Sequence, residues 1–81
     1  MQTIILYGTD YCHLCEQAEA LLRDLAVDQY QLQKIDISDD DALMDLYSLR
    51  IPVARLQNAS VDLGWPFDRV TLTEYLTTTK T

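Results

Sequence analysis

An α/β fold of element order βαβαββα, with a four-stranded mixed sheet flanked by helices, is what this sequence predicts. Three observations predict it. Residues 3–7, Thr-Ile-Ile-Leu-Tyr, are β-branched or bulky and apolar without a helical period, as in a strand covered on both faces. Leu14, Ala18, Leu21, Leu22 and Leu25 then follow the i, i+4, i+7, i+8, i+11 rhythm of one helix face. Later, Ile51-Pro52-Val53-Ala54-Arg55-Leu56 and Val61-Asp62-Leu63 flank Gln57-Asn58-Ala59-Ser60, whose turn chemistry makes the two runs a hairpin.

The first run is the central strand, and Gly8-Thr9-Asp10 breaks it. The first helix is expected from about Cys12 to Ala26. Tyr30 to Ile37 reads as a second strand, clearest where Lys34-Ile35-Asp36-Ile37 alternates charged and apolar residues. Ser38 to Asp41 is a helix start rather than a metal site: Ser38 or Asp39 can cap free amides, and the acid run suits the positive end of the dipole. Ala42, Leu43, Leu46, Tyr47 and Leu49 continue that second helix. Pro52 falls at the start of the third strand, one of the few places a strand accepts proline. After Gly64-Trp65-Pro66-Phe67-Asp68 comes a last helix from about Val70 to Leu76, with Asp68 near its cap. Thr77 to Thr81 reads as a frayed tail. The order implies two right-handed crossovers and then the hairpin and closing helix. The first and third helices are short enough to share one sheet face, which the order alone leaves open.

Eighty-one residues, 48% of them hydrophobic and 23% charged, make a single folded domain over 1–81. A chain of this size buries only about 60% of its unfolded surface, so it holds one modest core and any site is shallow. Thirteen acidic against six basic side chains give a formal charge of -7, which disfavours nucleic acid and anionic membrane surfaces as partners. No apolar run approaches the roughly 20 residues needed to span a bilayer. The first residues carry no basic leader and read as a strand, so the expectation is a soluble, cytoplasmic monomer.

The two cysteines, Cys12 and Cys15, carry the chemistry. A bond across so short a loop removes little entropy from the unfolded chain, so it is a poor staple and better suited to redox exchange. At a helix N-terminus a thiolate is favoured by unpaired amides and the dipole. Cys12 is therefore expected to attack a disulfide, and Cys15, one turn on, to resolve the mixed disulfide. Asp10 and Glu16 oppose that ionisation, and His13 aids it only when protonated. The plainer readings are inert half-buried thiols and a solvated His13. Zinc needs four ligands, whereas the chain offers two cysteines and one histidine, so no metal is expected. Tyr11 either gives a substrate an aromatic face or packs over the loop. Trp65, Pro66 and Phe67 read as a hydrophobic plug between hairpin and last helix.

A strand, then Cys12-His13-Leu14-Cys15 opening a helix, then Ile51-Pro52 before an antiparallel hairpin, resembles the thioredoxin superfamily and its short glutaredoxin-like branch. The resemblance covers nearly the whole chain. It implies a thioredoxin-like fold and a thiol–disulfide oxidoreductase that reduces or exchanges protein or low-molecular-weight disulfides. It also implies that Cys12 is the nucleophile, Cys15 the resolving residue, and Pro52 a cis-proline beside the disulfide that leaves the Ile51 backbone free for substrate. No metal or organic cofactor is implied for that cycle; glutathione is the co-substrate the resemblance brings in, and a bridged iron–sulfur dimer occurs in some relatives. A non-catalytic binding module using the Ile51-Pro52 edge, and a metal or iron–sulfur carrier using the same two cysteines, are the other classes of function. The chain departs from glutathione-binding relatives in three places. Thr9, Asp10 and Tyr11 stand where a basic residue tends to precede the first cysteine, leaving Arg50 as the cation that could replace it. Arg50-Ile51-Pro52 stands for Thr-Val-Pro, and Leu63-Gly64-Trp65-Pro66-Phe67-Asp68 for a Gly-Gly pair followed by an acid.

Overall fold

The structure, a computed structural model, describes residues 2–10, 12–25 and 29–79. Strand β1 (Gln2–Gly8) leads to helix α1 (His13–Leu25), and β2 (Tyr30–Asp36) to a 3-10 turn (Ile37–Asp39) and helix α2 (Asp41–Tyr47). Strands β3 (Val53–Leu56) and β4 (Leu63–Gly64) form the hairpin that precedes α3 (Arg69–Thr79). The sheet runs β2-β1-β3-β4. β1 pairs parallel with β2, from Gln2 opposite Tyr30 to Gly8 opposite Asp36. It pairs antiparallel with β3, from Ile4 opposite Leu56 to Tyr7 opposite Val53. The expected order βαβαββα and its mixed four-stranded sheet are present.

β1 sits between two neighbours with Ile4 to Tyr7 all buried, which is why that run shows no alternation in sequence. Its side chains feed two cores. Ile4 and Leu6 join Ala18 and Leu22 of α1, Leu72, Tyr75 and Leu76 of α3, and Phe67. Ile5 and Tyr7 join Ile37, Val53 and Tyr47 of α2. Helices α1 and α3 therefore share one sheet face, and the seven-residue α2 serves the other. The Trp65 ring meets Phe67 edge-on, centroids 5.0 Å apart, against the first core, as the plug reading expects, whereas Pro66 is exposed and takes no part in it.

Several boundaries differ from expectation, each for a local reason. Leu14 is exposed, because the inward stripe of α1 is centred on Cys15, Ala18 and Leu22, and the cysteine takes the place assigned to the leucine. Neither Ser38 nor Asp39 caps α2; Asp40 does, its Oδ1 accepting from the Ala42 and Leu43 amides at 2.9 and 3.2 Å. Ser38 instead donates from its amide and hydroxyl to Asp36, which lowers the Asp36 pKa, and Ile37 lies in the turn rather than in β2. The α2 helix stops at Tyr47 and leaves Leu49 wholly in solvent. β3 begins at Val53, since proline has no N–H for the ladder. β4 is shifted to Leu63–Gly64, with Val61 outside it. Asp68 caps α3 through the Thr71 amide at 2.8 Å, as expected, but the helix runs on to Thr79 where a frayed tail was foreseen. The Ala26 end foreseen for α1 lies outside the described residues.

Tyr75 ties α3 to the hairpin. Its hydroxyl donates to the Val61 carbonyl at 2.5 Å and accepts from the buried Leu56 amide at 3.1 Å. Burial holds its own ionisation above the ordinary range. Tyr75→Phe is expected to cost about 1–3 kcal/mol, because the Leu56 N–H loses its partner where water is scarce. Urea unfolding checks this, and a midpoint unchanged from the parent would contradict the role.

Candidate active site

Cys12 stands where the chain enters α1. Its carbonyl accepts the first intrahelical bond, from the Glu16 amide at 3.1 Å, and its Sγ accepts from the Cys15 amide at 3.2 Å. The sulfur thus occupies the place that a serine or aspartate oxygen takes in an ordinary N-cap. Cys12 and Cys15 are joined in a disulfide across a Cα–Cα separation of 5.2 Å. They are not equivalent: Cys12 is half-buried, while Cys15 is 8% exposed and behaves as a core residue of α1. A reactant arriving from solvent meets Cys12 first.

Cys15 rests on the end of the central strand. A Cβ added at Gly8 would lie 2.8 Å from Cys15 Sγ and 3.2 Å from its Cβ, so glycine is what lets β1 approach the disulfide. One step beyond the Tyr7–Val53 pair, the register brings Pro52 level with Gly8. The predicted proline therefore arrives at the same end of the sheet as the two cysteines. It is buried, and the Ile51–Pro52 peptide is cis. So is Trp65–Pro66, which nothing in the sequence singled out. The Ile51 amide, expected to be free for substrate, donates to the Tyr47 carbonyl at 3.0 Å; any pairing at Ile51 is left to its carbonyl. Tyr11 lies outside the described residues.

Beside the disulfide, a groove of about 240 Å³ opens between the start of α1 and β2. Besides both cysteines and Gly8, it is lined by Asp10, Glu16, Glu19, Asp36 and Lys34. Glu19 bridges Lys34, at 3.0 Å, and Arg23, at 2.9 Å. Its hydrogen bond to Lys34, aided by Arg23, holds its carboxyl below the ordinary range despite partial burial. Glu16 faces His13 at 3.6 Å, both in solvent, so His13 is a solvated helix-start residue. Just after α2, Arg50 binds Asp62 through two hydrogen bonds, 3.1 and 2.5 Å, and lies over the Tyr47 ring. The cation expected to stand in for the absent one is therefore already engaged. Tyr47 in turn stacks on Tyr7, centroids 4.5 Å apart.

Sequence reading missed Gly8, Glu19 and Asp62. Glu19 was legible, since a residue four positions after Cys15 shares its helix face. Gly8 carried only the weak hint of a glycine closing an apolar strand. The Asp62–Arg50 pair joins the hairpin to the end of α2 and leaves no local trace. Among the described residues, no group of three or more His, Cys, Asp or Glu is placed to hold a metal ion. No helix among them is long and apolar enough to cross a membrane.

Comparison with known proteins agrees with this geometry. The family model described as Glutaredoxin-like domain (DUF836) matches residues 3–77. The chain belongs to this glutaredoxin-like family. Two solved structures resemble this glutaredoxin-like chain closely. The X-ray structure of target protein XcR50 from X. campestris is 39% identical, with 93% of this chain and 96% of that one covered at a TM-score of 0.80. The solution structure of protein Ne2328 from Nitrosomonas europaea is 30% identical, with 91% and 89% covered at a TM-score of 0.78. A malarial protein, 12% identical at a TM-score of 0.72, shares the fold alone. No curated protein matches the chain. The glutaredoxin-like assignment agrees with the fold and with the Cys12–Cys15 pair at disulfide distance.

Proposed function

We propose that this glutaredoxin-like chain is a thiol–disulfide oxidoreductase in which Cys12 attacks and Cys15 resolves. The observation that carries the reading is the Cys15 amide donating to the half-buried Cys12 Sγ at the head of α1. In the reduced protein that amide and the helix dipole would stabilise a Cys12 thiolate. Asp10 and Glu16 work against it, so the stabilisation is moderate. The Cys12 thiolate displaces one sulfur of a substrate disulfide, which leaves as a thiol after taking a proton, and a mixed disulfide forms. Cys15, after losing its proton, then attacks Cys12 Sγ and expels the second substrate thiol. Two electrons pass to the substrate, and the protein is left with the Cys12–Cys15 bond of this structure. An external thiol of low molecular weight or a protein dithiol returns it to the dithiol. The cycle uses no metal or organic cofactor. Protein or low-molecular-weight disulfides are its partners, and a reducing, cytoplasmic setting suits a monomer working in this direction.

Cys12→Ser is expected to abolish reduction of an insulin-type disulfide. Cys15→Ser should stop after one event, with the substrate half held on Cys12 and visible by intact mass. Thiolate absorbance against pH should place Cys12 below free cysteine. Inactivity of the parent with every disulfide, together with a Cys12 no more acidic than a free thiol, would leave a non-catalytic binding module in its place.

A further inference from the structure

The groove beside the disulfide is small and carries the wrong charge for the substrate that the family name suggests. At about 240 Å³ it falls below the roughly 300–1,000 Å³ of small-molecule sites, so it takes one extended side chain and leaves the rest of a bound molecule outside it. Four carboxylates line it, from Asp10, Glu16, Glu19 and Asp36, against the single ammonium of Lys34. That ammonium is held by Glu19, so it offers nothing to an incoming anion. Arg50 does not compensate, because it is absent from the lining of the groove and is paired with Asp62. The formal charge of -7 adds a long-range field of the same sign.

We infer that the site selects protein or peptide disulfides flanked by lysine or arginine and discriminates against glutathione mixed disulfides, with Asp10 and Glu16 as the specificity-determining residues. The inference rests on the redox reading above and refines it. Among the described residues Asp10, Glu16 and Asp36 have no lysine or arginine partner, but Asp36 is engaged by Ser38, so Asp10 and Glu16, the latter facing only His13, are left to meet a substrate cation, while Glu19 is held by Lys34 and Arg23. A basic side chain beside the substrate disulfide would lie along the groove while its neighbouring sulfur meets Cys12. A glutathionyl group carries two carboxylates against one ammonium and is repelled. Charges of this exposed kind act on the encounter more than on the bound complex, so the discrimination belongs to the second-order rate and falls with salt.

The test uses the reduced full chain and four disulfides. Two are peptides of one sequence whose intrachain disulfide is flanked by lysines or by glutamates. The third is a glutathione mixed disulfide on a neutral peptide, and the fourth is uncharged 2,2'-dithiodipyridine, which reports thiol reactivity alone. At low ionic strength the lysine peptide is expected to react about tenfold or more faster than the glutamate peptide and the glutathione adduct. The advantage should shrink toward parity near 1 M salt, where the Debye length is about 3 Å. Asp10→Asn with Glu16→Gln should lose most of it, each rate being normalised to dithiodipyridine. Equal rates for the two peptides, or a glutathione adduct that reacts fastest, would overturn the inference and leave the oxidoreductase standing. Silence with all four disulfides would overturn the oxidoreductase itself.

Discussion

Leu72→Ala is expected to lower unfolding free energy by about 2–5 kcal/mol, the range for a leucine cut back in a core that cannot collapse around the gap. Leu72 is 0% exposed and joins Ile4, Leu6, Ala18 and Leu22, so it fastens α3 to the central strand and to α1 at once. Domains hold only about 5–15 kcal/mol in total, and one this small is at the lower end. Each kcal/mol moves the melting midpoint by roughly 4–8 °C at this size, so a drop of about 10 °C or more should be seen. Leu49→Ala is the comparison, because Leu49 is 99% exposed and its truncation should stay within about 0.5 kcal/mol. Similar losses at the two positions would mean that α3 is not docked as described.

Gly8→Ala tests the site through its support. The added methyl would meet Cys15 Sγ at 2.8 Å, and that sulfur cannot swing aside while it is bonded to Cys12. In the reduced protein the thiol can rotate, so the oxidised form bears more of the strain. Overpacking of this kind costs about 1–3 kcal/mol. Every 1.4 kcal/mol borne only by the oxidised form raises the reduction potential of the couple by about 30 mV. The variant should therefore be a stronger oxidant than the parent, read by equilibration against a glutathione redox buffer. A potential unchanged from the parent, in a variant that still folds, would contradict the close approach of β1 to Cys15.

Much of this architecture was legible in the sequence because it depends on local pattern. The buried run at 3–7 announced a central strand, the leucine stripe announced α1, and Cys12-His13-Leu14-Cys15 sat at the head of that helix. The errors came where several residues compete or where partners are distant. Ser38, Asp39 and Asp40 are all competent caps, and only the turn made by Ile37 chooses among them. Hydropathy ranks Leu14 above Cys15 for the core, yet the sheet end presents Gly8 at the height of the cysteine. Threonine is a poor helix former, but Tyr75 and Leu76 dock firmly enough to carry α3 past them to Thr79. Arg50 looked available because Asp62 is twelve residues away.

The position of β1 has a further consequence for how the site works. Among the described residues it is the one strand bound by long ladders on both sides, and its four inner residues are buried among both cores. Segments of that kind open only when the whole molecule unfolds. The sulfurs are thus moored to the stiffest part of the chain, and exchange takes place against an unyielding anvil. Accommodation to differing partners falls to the charged side chains at the mouth of the groove.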